Sequence, residues 1–201
     1  MEKIINAVKQ LVSQEKTILV GIDGLGGSGK STISEVIKEL LIKEGINTVL
    51  LHIDDFIHPR TVRYNNNFEE WECYSYLQWR YDYLIKEVIK PIKKGRSVSG
   101  EIEIYDKEND SYIMQRIDVP LGSVVIIEGV FLQRKELFGI FDYVVYIDVS
   151  EQERLERVIK RDKYIGDESE IKEKYENRYF PAERNYINTY SPHDKADIVI
   201  K

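Results

Sequence analysis

Short apolar runs alternate along the chain with longer stretches whose apolar positions recur every three or four residues. The first kind predicts strands and the second amphipathic helices. Strands are expected at 17–22, 48–53, 123–127, 143–149 and 197–200. Runs such as ILVGI, VLLHI, VVII and YVVYIDV lack polar alternation, as strands covered on both faces do, so the prediction is a parallel five-stranded sheet flanked by helices. Helices are expected at 31–43, 74–90, 151–160 and 168–190, the last interrupted at Pro181, which has no amide donor. Segment 98–119 breaks the alternation. Ile102 and Ile104 alternate with Glu101, Glu103 and Tyr105, and the polar turn Lys107 to Asp110 leads into a second extended run, the pattern of an inserted antiparallel hairpin. Near the start, Ile4, Ile5, Val8, Leu11 and Val12 fall at helical spacing with charges between them, unlike a signal peptide.

Composition narrows the class. The chain has 201 residues, 42% apolar and 32% charged, enough to bury a continuous core in one domain spanning 1–201. With 29 Lys and Arg against 35 Asp and Glu, the formal charge is −6, and no basic block is present. That argues against nucleic acid as a partner. No stretch approaches the ~20 apolar residues of a membrane span, so no membrane partner is expected either. Cys73 is the only cysteine, which leaves no internal disulfide and no zinc spacing, and suits the reducing cytosol. The expected setting is cytoplasmic. Homo-oligomerisation stays open, because faces that pair subunits look like any other amphipathic face.

The strongest chemical signal is GLGGSGKS: Gly24, Leu25, Gly26, Gly27, Ser28, Gly29, Lys30 and Ser31 follow a predicted strand and open a predicted helix. This is the GxxxxGK[ST] pattern, in which glycines let backbone N–H groups wrap a phosphate, lysine adds a full charge and the serine hydroxyl reaches Mg²⁺. Thr32 is placed for an adjacent phosphate. A glycine turn kept for packing alone is the competing reading, and Lys-Ser-Thr with strand and helix on either side disfavours it. Nucleotide binding follows, but many enzyme classes share this loop. The chain has neither a guanine-reading NKxD sequence nor an LSGGQ-like segment, which favours a kinase.

Acids occupy two strand ends, where open parallel sheets place their ligands. Asp54 is the candidate general base, since a hydroxyl attacking phosphorus benefits from a carboxylate that takes its proton. Asp55 could assist with substrate, water or metal, and a turn or helix-cap role for the pair competes. Glu128, after four aliphatic residues, is the candidate to hold magnesium with Ser31 and Asp54; a solvated strand end is the alternative. Arg154, Arg157 and Arg161 fall on related turns of one helix and could close over phosphoryl charge, although a solvated face alternating with Glu153 and Glu156 explains them equally well. The aromatic cluster from Tyr64 to Tyr83 reads as core before ligand contact, with Tyr76, Trp79 and Tyr83 on one helical face. Tyr105, at the hairpin's end, is the better pocket candidate. The three histidines read as structural or surface residues.

In order and spacing, GIDGLGGSGKST, HIDDFI, IEIYD, VVIIEGVF, RLERVIKRD and ADIVI make the chain, from about residue 17 onward, resemble uridine kinase-like P-loop kinases of the uridine kinase and phosphoribulokinase group. The resemblance implies an NMP-kinase-like sheet with a hairpin elaboration (98–119) and an arginine-containing lid (154–170). It also implies ATP and Mg²⁺ as co-substrate and cofactor, and transfer of the γ-phosphoryl group to a primary hydroxyl of a small-molecule substrate, nucleoside-like first. By that resemblance Lys30 and Ser31 serve phosphate and metal, Asp54 is the base, Glu128 serves magnesium, Tyr105 meets the acceptor, and Arg157 and Arg161 belong to the lid. Arg154 and Asp55 are placed beside the substrate. The sequence departs from the family pattern twice. Where an Asp-His-Pro segment supplies the aspartate for a ribose diol, this chain has Trp71-Glu72-Cys73-Tyr74, leaving Glu72 as the stand-in. The turn after Tyr105 has no pyrimidine-reading histidine. The alternatives are therefore a kinase for pantothenate, nicotinamide riboside or a sugar phosphate, and a nucleotide-dependent regulatory module or ATPase.

Overall fold

The computed structural model describes residues 1–201. Its central sheet has the order β2-β5-β1-β6-β7, all parallel, built from β1 (Ile18–Gly24), β2 (Thr48–His52), β5 (Val124–Gly129), β6 (Tyr143–Ile147) and β7 (Ile198–Ile200). The five predicted strands are all present, shifted at their ends by one or two residues. Strands β3 (Val98–Asp106) and β4 (Ser111–Val119) form the separate antiparallel hairpin, paired Asp106 to Ser111 at the turn.

Alternation along the buried strands divides the core between the sheet's two faces. Ile18, Val20, Ile22, Val124 and Ile126 pack against Ile4, Ile5 and Val8 of α1 (Glu2–Leu11) and Ile37 and Leu41 of α2 (Lys30–Lys43). Leu19, Val125 and Ile127 face the larger cluster, which holds the base of the hairpin through Val98, Ile117 and Val119. No helix is long and apolar enough to cross a membrane.

The predicted helix over 74–90 is interrupted. After α3 (Arg60–Arg63) and α4 (Glu70–Glu72), a π-helical turn covers Cys73–Leu77; residues 78–80 then leave the helix before α5 (Tyr81–Leu84), a second π-helical turn (Ile85–Ile89) and α6 (Lys90–Lys93). The break has a structural cause: His58 N–H donates to the Gln78 carbonyl, Arg80 N–H to that of Phe56, and the Trp79 indole to that of Tyr74. Trp79 is consequently buried while Tyr76 is 52% exposed, so the single aromatic face expected of Tyr76, Trp79 and Tyr83 does not exist. Beyond α7 (Glu151–Arg161), the chain stays helical from α8 (Glu168–Lys174) through Pro181. A π-helical turn at Tyr175–Tyr179 leads into α9 (Phe180–Tyr190), and this wider turn accommodates the proline ring. α10 (Pro192–Lys195) then leads back to β7.

Candidate active site

The carboxyl edge of the sheet opens into a cleft of about 630 Å³, lined by the loop between β1 and α2, the end of β2, the end of β5, the hairpin tip and the segment after α7. The loop takes its path because its glycines accept backbone angles that side chains resist. At Gly27 (φ +80°) an added Cβ would meet Val158 and the Arg154 carbonyl, both on α7.

Lys30 opens α2 and is buried, and its Nζ donates to the Leu25 carbonyl at 2.9 Å. Burial lowers its pKa, while the charges of Glu128 and Asp54 act to keep it protonated. Ser31 Oγ donates to Glu128 Oε1 at 3.0 Å, and His52 Nδ1 lies 2.6 Å from the same oxygen. His52 and Glu128 are register neighbours on β2 and β5, which places their side chains together. Burial works to raise the Glu128 carboxyl, but the His52 and Ser31 bonds and the Lys30 charge hold it below its ordinary value. Asp54 sits in a 3₁₀ turn (Ile53–Asp55) that ends β2. Its carboxyl is open to the water of the cleft yet crowded by protein all around; that crowding, then the Glu128 charge, raises its pKa. Burial raises Asp55 in the same way.

Of the residues expected from sequence, Gly26, Gly27, Lys30, Ser31, Asp54, Asp55, Tyr105, Glu128 and Arg161 line this one cleft. Thr32 stands exposed on the first turn of α2. Three expectations require correction. Glu72 does not face the cleft: its carboxylate accepts the Glu69 N–H at 2.9 Å and completes the capping box of α4. Arg154 is 2% exposed and spent on protein, donating to Glu183, the Val149 carbonyl and the Gly26 carbonyl. Arg157 lies outside the cleft, where its guanidinium approaches the Ser28 carbonyl at 3.3 Å and Glu153 at 3.3 Å. Arg161 does reach the cleft, paired through two bonds with Asp162.

Several lining residues carry no sequence signal of their own. Glu183 arrives from α9, deep in a long helical pattern, and accepts the Gly26 N–H at 2.8 Å. Arg63 lies between the rings of Tyr64 and Tyr105 and donates to the Tyr105 hydroxyl at 2.6 Å, which itself donates to Asp110. His52, read from the sequence as a structural or surface residue, stands instead against the Glu128 carboxylate.

The oxygen set of Ser31, Asp54 and Glu128 suits a hard divalent cation. No three acidic, His or Cys side chains form a ready-made metal centre, but Mg²⁺ keeps several waters and binds through one or two carboxylates plus substrate phosphate. The Ser31–Glu128 bond already brings two of these groups together.

The chain is 30% identical over 195 residues to uridine kinase of Staphylococcus haemolyticus, covering 92% of this chain and 87% of that one. It is 28% identical over 196 residues to uridine kinase of Macrococcus caseolyticus, covering 92% and 88%. The solved structure of a possible uridine kinase from Bacillus stearothermophilus superposes with a TM-score of 0.80 at 30% identity, over 100% of this chain and 96% of that one. The sequence model of the phosphoribulokinase / uridine kinase family matches residues 19–201, from the strand before the phosphate loop to the last residue; the chain belongs to that family and is an ATP-dependent kinase that phosphorylates a hydroxyl group.

Proposed function

We propose that this kinase transfers the γ-phosphoryl group of ATP to a primary hydroxyl of a small metabolite held between Asp54 and Tyr105, with a nucleoside as the acceptor class the named relatives point to. The observation that carries the reading is that Asp54, Lys30 and Ser31 line one cleft together with Tyr105. Asp54 accepts the proton of the attacking hydroxyl; its carboxylate makes no hydrogen bond to protein and is open to the cleft, which leaves it free for that role. Lys30 and the backbone of Gly26 to Ser31 hold the phosphates, and Arg161 draws toward the charge that develops on them. Ser31, Glu128 and Asp54 would hold magnesium. When bound, ATP supplies the transferable group and magnesium neutralises its charge.

A specific observation favours a second acceptor class. Arg60, Arg63 and Lys107 all line the Tyr105 side of the cleft. The carboxylate among them is Asp110, which accepts from the Arg60 N–H and the Tyr105 hydroxyl and lies 3.9 Å from Arg63 Nη2, so one acid faces three cations. The Arg63 Nε has no partner at all. A wall rich in donors and cations suits a carboxylate or phosphate tail on the acceptor better than a ribose diol.

Acceptor-dependent ADP release separates the readings. Uridine or cytidine as the best acceptor supports the first. Pantothenate or a sugar phosphate outperforming them supports the second. A flat response to both groups rejects both acceptor classes and points to a different hydroxyl-bearing substrate.

Gly129 offers a test of how Asp54 is held. Its backbone (φ +156°) packs so closely on Ile53 that an added Cβ would overlap that side chain, coming within 2.7 Å of Ile53 Cβ. Gly129→Ala is expected to cost about 1–3 kcal/mol of stability, the scale of overpacking. It should also lower turnover in the protein that remains folded, because relief of the overlap displaces the turn carrying Asp54. Parental turnover at a reduced melting temperature would show that the turn does not move.

A further inference from the structure

The kinase reading leaves unused a buried ion pair that touches the phosphate loop. Arg154 and Glu183 are 2% and 1% exposed and meet at 2.7 Å. They grip the same residue from two sides: Glu183 Oε1 accepts the Gly26 N–H at 2.8 Å, and Arg154 Nη1 donates to the Gly26 carbonyl at 3.0 Å. Arg154 Nε also reaches the Val149 carbonyl at the end of the segment after β6, so its guanidinium is held at several points. One turn further along α9, the Tyr186 hydroxyl donates to Asp23, whose other oxygen accepts the Gly24 N–H; this fastens the helix to the root of the same loop. The loop is thus braced at Gly24 and at Gly26 by one helix, and α7 adds Arg157 against the Ser28 carbonyl.

We infer that Glu183 and Arg154 are positioning residues for nucleotide binding: they fix the Gly26 backbone where the phosphate loop borders the cleft, and they tie α7, which carries Arg161, to that loop. Neither residue touches a reacting atom. The fixed element is backbone that glycine leaves intrinsically loose, and preorganised donors act only if they do not have to be ordered during binding. The same arrangement explains why the arginine nearest the start of α7 is buried rather than exposed beside Arg157.

Single substitutions cannot test this, because removing one partner of a buried ion pair destabilises the fold through the charge left behind. Two double variants avoid that. Glu183→Gln with Arg154→Met removes both charges but keeps an oxygen that can accept the Gly26 N–H. Glu183→Met with Arg154→Met removes the same charges and nearly the same volume while abolishing the acceptor. Nucleotide affinity is read by titrating a fluorescent ATP analogue in magnesium, with melting temperature measured alongside. The glutamine variant, which keeps an acceptor for the Gly26 N–H but loses the Arg154 contact, is expected to bind several-fold more weakly than the parent, and the methionine variant about tenfold more weakly again, at melting temperatures close to each other. Equal affinity in the two variants overturns the inference and leaves the pair as packing. If the methionine variant does not fold, Glu183→Leu in the same background replaces it with the same reading. This readout needs no acceptor, so it stands apart from the outcome of the acceptor panel.

Discussion

Asp54→Asn is expected to lower turnover by about a hundredfold or more, the usual scale for a lost general base, while ATP affinity stays within a few-fold of the parent. The substitution preserves shape. Asp54 makes no side-chain hydrogen bond to protein, so no structural contact is lost, and the turn that presents it is set by Ile53 packed on Gly129. Lys30 keeps the charges of Glu128, Asp23 and Glu183 around it when Asp54 is neutral, so the phosphate cradle stays intact. The check is kcat with the best acceptor beside a direct nucleotide titration. Turnover near the parental value would remove Asp54 from the chemistry and return it to the role of a turn residue.

Why Asp54 was legible in the sequence and Glu183 was not follows from how each is placed. The phosphate loop, the acids after β2 and the acid at the end of β5 each follow an apolar run that fixes their place at the sheet's carboxyl edge, and the hairpin is contiguous in the chain. The apolar strand runs therefore carry both fold and site. Glu183 and Arg63 reach the cleft through tertiary packing, and no local pattern distinguishes them from the other charges on their helices. The same limit explains the misplaced arginines. Helical spacing puts Arg154, Arg157 and Arg161 near one another, but only the docking of α7 against Gly26, Gly27 and Ser28 decides which is buried and which reaches the cleft. Glu72 failed for a simpler reason: three residues after Glu69 it is a helix-capping residue, and the capping box consumed its carboxylate. The break at residues 78–80 was hidden because apolar spacing does not report that those backbone groups pair with residues 56 and 58.

Lys30→Met is expected to fail at a different step from Asp54→Asn. Methionine fills nearly the same buried volume, so the loop should keep its packing, but the positive charge facing Asp54, Glu128, Asp23 and Glu183 is gone. Those carboxylates then repel one another and any phosphate brought into the cleft. Nucleotide affinity should fall together with turnover, the latter by about 10²–10³, the scale for deleting a preorganised donor to developing charge. Binding and transfer are thereby separated: the aspartate variant still fills with ATP and the lysine variant does not fill properly. If Lys30→Met bound ATP as the parent does and lost only turnover, the lysine would act on the transition state alone. The bond it makes to the Leu25 carbonyl would then mark its ground-state position, with the backbone of the loop holding the phosphates unaided.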